Sequence, residues 1–338
     1  MSTLLLGSRT ARSILGFTGF AIKPSYLQEL RSSLRASRSL SSSPVGPFHF
    51  NVVETPQYSS NIVFLHGLLG NGKNLRTFAR ELCRQQQARG ILVDLPGHGS
   101  SKHCLAATTS ISNCLLGLHQ TLQAAGIGND DDDDDDNVSW SLVGHSMGGR
   151  IALQYANHSD SFPQPQRLVL LDTVPGGLNA SVMHVMRVAE TFLPVVAQTN
   201  LTRKELVHKL TQEHGIDLAT AQWLGGSYDT QTREFSFSLE GARNLVHCFF
   251  ERNDPTGLSS FVETIEHVLR HNVKIERVDI VRGGKNRSWD SVQDQVSQLE
   301  ALEQFPPSQS QLRVHLLPNA GHWVHTDDLP GLIQVLKS

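Results

Sequence analysis

Gly144-His145-Ser146-Met147-Gly148 joins an apolar strand pattern, Val138 to Val143, to a helical pattern that begins at Arg150 and runs through Ala156. No other segment restricts the chain as much. A serine between glycines at a strand-to-helix bend requires a sharp turn, and the turn leaves its hydroxyl projecting beyond the sheet. The first N–H groups of the helix then face the same point, where they can stabilise developing negative charge. A glycine-rich turn that merely starts a helix is the plainer reading of the pentapeptide, but it leaves the strand and helix on either side unused.

The surrounding sequence supplies the layers such a bend needs. Ile62-Val63-Phe64-Leu65, Ile91-Leu92-Val93 and Leu168-Val169-Leu170-Leu171 are short continuous apolar runs, as expected of strands covered on both faces. Between them, Leu75, Phe78, Ala79, Leu82 and Cys83, and later Ile111, Cys114, Leu115, Leu118 and Leu122, recur at helical spacing. This alternation predicts an α/β fold with a mostly parallel, doubly wound sheet. It fails after Pro175, where Val182 to Val196, Arg203 to Glu213 and Ser259 to Arg270 read as helices, so residues 175–273 are expected to form an inserted helical cap. Strand patterns resume at Arg277 to Val281 and Leu312 to Leu317, and a helix around Leu332 to Leu336 ends the chain. The core is therefore assigned to 44–174 and 274–338.

Composition narrows the function classes. With 39% of 338 residues apolar, a substantial core can be buried. The 29 Lys and Arg against 32 Asp and Glu give a net charge of -3, so nothing in the balance suits a nucleic-acid backbone. Cys83, Cys104, Cys114 and Cys248 lack metal-site spacing and disulfide density. No apolar run approaches the roughly 20 residues of a transmembrane helix. Two segments stand apart. Residues 1–43 carry Arg9, Arg12, Lys23, Arg31, Arg35 and Arg38 against Glu29 alone, with many serines, which is the composition of a mitochondrial transit peptide. Asp130 to Asp136 repel one another and lack the alternation of a calcium loop, so 129–137 is expected to be a solvated insertion.

A serine hydroxyl attacks well only if a base takes its proton and an acid orients that base. Among the 16 histidines, His322 follows the last strand in Pro318-Asn319-Ala320-Gly321-His322, at a carboxyl edge and in the expected chain order. His66, His98, His145 and His325 read as structural. Asp172, directly after Leu171, is the favoured acid, with Asp290 and Glu240 as rivals, while Asn286 after the next strand cannot hold an imidazolium. The backbone N–H groups of Met147 and Leu68, the latter in His66-Gly67-Leu68-Leu69-Gly70, are expected to form an oxyanion hole. The scheme requires no metal and no organic cofactor. The apolar cap segment from Val182 to Val196 either lines an acyl pocket or packs over the core.

Phe64-Leu65-His66-Gly67-Leu68-Leu69-Gly70, Asp94-Leu95-Pro96-Gly97-His98-Gly99-Ser100-Ser101, Val143-Gly144-His145-Ser146-Met147-Gly148-Gly149 and Pro318-Asn319-Ala320-Gly321-His322-Trp323-Val324-His325 together resemble the alpha/beta hydrolase superfamily. The likeness runs from Phe48 to Ser338 and narrows to a subgroup of eukaryotic hydrolases and their small bacterial esterase relatives. It implies an alpha/beta hydrolase fold, hydrolysis of a small-molecule ester or acyl substrate, a mitochondrial address for eukaryotic members, and an acid after the strand that ends at Leu171. The aspartate insertion, Lys285-Asn286-Arg287 and the cap depart from the pattern. A protein that keeps the fold only to hold an acyl ligand or a partner is the rival from another class.

Overall fold

The computed structural model describes residues 45–128, 138–251 and 260–337. The transit-like segment 1–43 and the aspartate run 130–136 lie outside the described residues.

The apolar runs form strands, and their alternating side chains enter two separate apolar layers. The strands are β1 (Phe50–Val53), β2 (Ser60–Leu65), β3 (Ala88–Val93), β4 (Trp140–His145), β5 (Arg167–Leu171), β6 (Tyr228–Asp229), β7 (Glu234–Phe235), β8 (Arg277–Gly283) and β9 (Gln311–Leu317). Seven of them hydrogen-bond in the order β1-β3-β2-β4-β5-β8-β9, all parallel except the edge strand β1, which runs antiparallel to β3. Along β2, Ile62 and Phe64 enter one layer while Val63 and Leu65 enter the other, as the two-residue period requires. Each such side chain contributes about 1.5–3 kcal/mol when fully buried.

The helices are α1 (Arg76–Gln86), α2 (Ile111–Ala124), α3 (Met147–Asn157), α4 (Ala180–Thr191), α5 (Leu193–Val196), α6 (Arg203–Gln212), α7 (Leu218–Gly226), α8 (Leu239–Val246), α9 (Phe261–His271), α10 (Gln293–Gln304), α11 (Val324–Asp327) and α12 (Leu329–Lys337). Leu75, Phe78 and Leu82 of the α1 region meet Leu332 and Leu336 of α12 on one face of the sheet. Cys114 and Leu118 of α2, Ile151 of α3, Ile265 of α9 and Leu299 of α10 cover the other. None of the described helices is long and apolar enough to cross a membrane.

Three differences from the sequence-based expectations have local causes. Edge strand β1 escapes the apolar pattern because its other side is open and its residues are only partly covered. β6 and β7 form a two-residue hairpin inside the helical region, too short to register as alternation. The helix expected over 259–270 starts two residues later, as α9, because the Ser260 hydroxyl accepts the Glu263 N–H while the Glu263 carboxylate accepts the Ser260 N–H.

Helices α4 to α8 and the hairpin lie within 180–246, between β5 and α9 in the chain, and touch the core at a close backbone contact. Ser238 N–H donates to Gly97 O and Gly99 N–H to Ser236 O. Gly97 has φ +77°, and a Cβ there would lie 3.0 Å from Gly241 Cα, so only glycine admits this approach. β3 and β4 lie on opposite sides of β2, so the chain order reverses there. A crevice opens beyond the carboxyl ends of strands at such a reversal.

Candidate active site

Ser146 lies at the end of β4, where φ is +54° and ψ is −113°, a conformation an L-residue holds only under constraint. The constraints are visible. Its N–H donates to Leu171 O at 2.9 Å, which ties the bend to β5. A Cβ on Gly144 would come within 2.3 Å of Gly148 O, and one on Gly148 within 2.4 Å of Leu65 O. Larger residues at either position would push the bend open.

Asp172 follows β5 directly and is fully buried, with φ +44° and its own N–H on Val281 O at 2.7 Å. Burial of a bare carboxylate is costly, and four donors compensate it. Oδ1 accepts Gly283 N–H at 2.8 Å and Trp289 Nε1–H at 2.7 Å. Oδ2 accepts Asn286 Nδ2–H at 2.5 Å and His322 Nδ1 at 2.6 Å. Asn286 is itself oriented, since its Oδ1 accepts Ser288 N–H. From sequence alone Asn286 is excluded as the acid, and Trp289 carries no signal. The structure places both as donors to the carboxylate that His322 meets. Rivals Asp290, on the 3-10 turn Arg287–Val292, and Glu240, in the first turn of α8, are exposed and away from these contacts.

With Nδ1 on Asp172, the proton on His322 is fixed there and Nε2 is the nitrogen able to accept one, and His322 and Ser146 border the same two cavities. The neighbouring histidines are differently placed. His145 is buried beneath His322, with ring centroids 4.8 Å apart, and its Nε2–H donates to His322 O at 2.9 Å. Burial, with His322 and His325 adding like charge, holds His145 well below its ordinary 6.5. His325 is lowered to about 4 by burial and by His322. His66 accepts Leu95 N–H through Nε2 and donates from Nδ1 to Gly67 O, while His98 accepts Leu69 N–H and donates to Pro96 O. These two rings fasten the turns after β2 and β3 to each other.

Gly67 lies against the bend, for a Cβ on it would stand 3.5 Å from Ser146 Cβ. Leu68 follows in that turn, and Leu69 is held at φ +60°. Met147 is the first residue of α3, where backbone N–H groups have no intrahelical partner. Leu68, Met147, Ser146 and His322 all border one cavity of about 100 Å³. A second cavity of about 430 Å³ meets it at Ser146 and is lined by Asp172, Arg150 and Lys285 among others. Arg150 was not singled out from the sequence. Its guanidinium donates to Val174 O at 2.7 Å and Gly176 O at 2.5 Å beneath the Phe250 ring. Among the described residues, no group of three His, Cys, Asp or Glu side chains could hold a metal ion.

Residues 62–332 match the family model described as the alpha/beta hydrolase family. Over 298 residues the chain is 25% identical to the sn-1-specific diacylglycerol lipase ABHD11 of Mus musculus, covering 86% of this chain and 84% of that protein. It is 32% identical over 128 residues to the 2-succinyl-6-hydroxy-2,4-cyclohexadiene-1-carboxylate synthase of Serratia proteamaculans (strain 568), covering 38% and 44%. Among solved structures, a marine microorganism esterase superposes with a TM-score of 0.61 at 18% identity, covering 86% of this chain and 98% of the other.

Proposed function

The chain belongs to the alpha/beta hydrolase family, and on that premise we propose that it hydrolyses carboxylic esters through an acyl-enzyme built on Ser146, His322 and Asp172. The observation that carries the reading is the 2.6 Å contact between His322 Nδ1 and buried Asp172 beside a serine held at a strained bend in the same cavity.

In the first half-reaction Ser146 Oγ attacks the ester carbonyl carbon and its proton passes to His322 Nε2. Asp172 keeps the ring in the tautomer that can accept this proton and stabilises the imidazolium. The carbonyl oxygen becomes an oxyanion facing the Leu68 and Met147 N–H groups, each donor of this kind contributing about 2.7–4 kcal/mol to the transition state. The bond to the alcohol oxygen breaks, and that oxygen leaves with the proton from His322. Water then adds to the acyl carbon, giving a proton to His322, and the carboxylic acid departs as Ser146 Oγ recovers its hydrogen. An oxygen ester and a thioester are equivalent in these steps.

We assign helices α4 to α8 as a cap over this centre, since Val182 and Thr220 border both cavities. The cationic, acid-poor composition of 1–43 supports a mitochondrial address. A fluorophosphonate probe tests the chemistry: the wild type should be labelled and Ser146→Ala should not. Equal labelling of both, or of neither, would leave a binding protein on a hydrolase fold.

A further inference from the structure

Two cavities of unlike size and chemistry meet at Ser146, and the proposed reaction dictates what each must take. At the tetrahedral carbon the oxygen that becomes charged points to Leu68 and Met147, which border only the smaller cavity. Ser146 and His322 border both cavities, so the two halves of the ester divide between them, and the larger, with Asn286, Lys285 and Arg287 in its walls, is the one that suits an alcohol bearing polar groups. The acyl group is left with the smaller one. That cavity is bordered mostly by apolar side chains, among them Leu69, Met147, Val185, Met186 and Trp223, with the hydroxyls of Ser181 and Thr220 besides the reacting residues. Of the apolar segment expected to line an acyl pocket, only Val182, Val185 and Met186 reach it, whereas Leu193 and Val196 are packed in the core and Met183 and Val195 are exposed.

Size then limits the acyl chain. The smaller cavity holds about 100 Å³, and a cavity of roughly 150 Å³ accommodates a benzene-sized group. The larger, about 430 Å³, lies in the range of small-molecule sites, roughly 300–1,000 Å³. Its walls present both donors and acceptors, including Asn179, Ser288, Lys285, Arg287, Asp217 and Asp327.

Phe250 is the phenyl side chain among the residues that border both cavities. Its ring lies over the Arg150 guanidinium, 4.1 Å from the ring centre, and Arg150 is fastened to Val174 O and Gly176 O. A cation held on backbone carbonyls fixes the ring stacked on it. Resting on the serine-hydrolase reading, we infer that this enzyme takes esters joining a short acyl group, about two to four carbons by cavity size, to a bulky hydrophilic alcohol. Phe250, seated on Arg150, sets the acyl length.

The test uses the full chain and p-nitrophenyl acetate, butyrate, octanoate and laurate, with glyceryl monobutyrate against ethyl butyrate for the alcohol side. kcat/KM should peak at acetate or butyrate and fall about tenfold or more at octanoate, since even one methylene too many in an apolar pocket discriminates by about that factor. Glyceryl monobutyrate should exceed ethyl butyrate. Phe250→Ala should raise the octanoate-to-butyrate ratio about tenfold by joining the cavities, and Val185→Phe should depress butyrate relative to acetate. A wild-type preference for octanoate or laurate overturns the inference, as does a folded Phe250→Ala protein with the wild-type ratio. If Phe250→Ala does not fold, an unchanged butyrate-to-acetate ratio in Val185→Phe overturns it instead. Absence of Ser146-dependent hydrolysis of every ester removes the reading beneath it, which fluorophosphonate labelling reports independently.

Discussion

Two polar clusters occupy the same carboxyl edge of the sheet and are wired in opposite ways. In the pair His66 and His98, every ring nitrogen is committed to a backbone group: two N–H donors and two carbonyls. In the pair Asp172 and His322, the carboxylate is saturated by four donors while His322 keeps one nitrogen uncommitted beside Ser146. Both clusters are buried or half-buried, and both follow strand ends in glycine-containing turns. The difference is the leftover valence. A buried group whose bonding capacity is exhausted by the chain itself can only fasten, whereas one with a free atom at a cavity can act on something that arrives.

Asp172→Asn breaks the second cluster most severely. Gly283 N–H and Trp289 Nε1–H converge on the Oδ1 position, so an amide there must place its oxygen toward them and its NH2 toward His322. The NH2 then confronts Asn286 Nδ2 and forces His322 Nδ1 to act as an acceptor, moving its proton to Nε2. A base in that tautomer cannot take the serine proton, and kcat for p-nitrophenyl butyrate should fall by about 10⁴. Asp290→Asn and Glu240→Gln, at exposed positions, should leave it near wild type. The reverse ranking would return the acid assignment to its rivals.

How much of this arrangement could be read beforehand follows from what kind of signal each part leaves. Strands β2, β4 and β5 are apolar on both faces because helices cover both, so their runs are conspicuous. The serine bend announces itself through two glycines whose Cβ atoms would collide with backbone. Asp172 and His322 could be named from their places after strands. The donors Asn286 and Trp289 could not, because they meet Asp172 across more than 110 residues of chain, and neither residue type carries a local pattern for that contact. The glycines of Gly283-Gly284-Lys285-Asn286 are the available hint, for a Cβ on Gly283 would meet Gly321 O at 2.0 Å, which marks the loop as pressed against the His322 turn. Arg150 and Phe250 likewise read as ordinary surface and helix residues until the cavities are seen.

The first cluster predicts a stability effect with a defined pH window. Burial lowers the His66 imidazole from 6.5 to about 4 and the His98 imidazole to about 3, so both are neutral in the folded chain at pH 7. Below 6.5 the unfolded chain gains protons that the folded one refuses, so stability is full above that value and is lost as the pH falls toward 4. His66 alone accounts for about 2 kcal/mol between pH 7 and pH 5. His66→Asn preserves the donor to Gly67 O but leaves Leu95 N–H without its acceptor, at a cost of about 1–3 kcal/mol at pH 7. Thermal unfolding at the two pH values should therefore show the variant less stable at pH 7 yet less sensitive to acid. An undiminished acid sensitivity would mean that His66 titrates freely and is not fastened as described.

His145 lies between the two cases and gives the smallest effect. It is buried and held neutral like His66, and its Nε2 bond runs to the backbone carbonyl of His322, so it steadies the reactive ring although its own ring borders the smaller cavity. His145→Gln can keep an N–H donor for that carbonyl and should change kcat no more than a few-fold. His145→Leu removes the donor from a partly shielded carbonyl, which costs about 1–3 kcal/mol divided between stability and the placement of His322. Steady-state kinetics alongside thermal unfolding separates the shares. If His145→Gln lowered kcat as far as Asp172→Asn does, His145 would have to exchange protons itself, and the division between fastening and reacting histidines would fail at this residue.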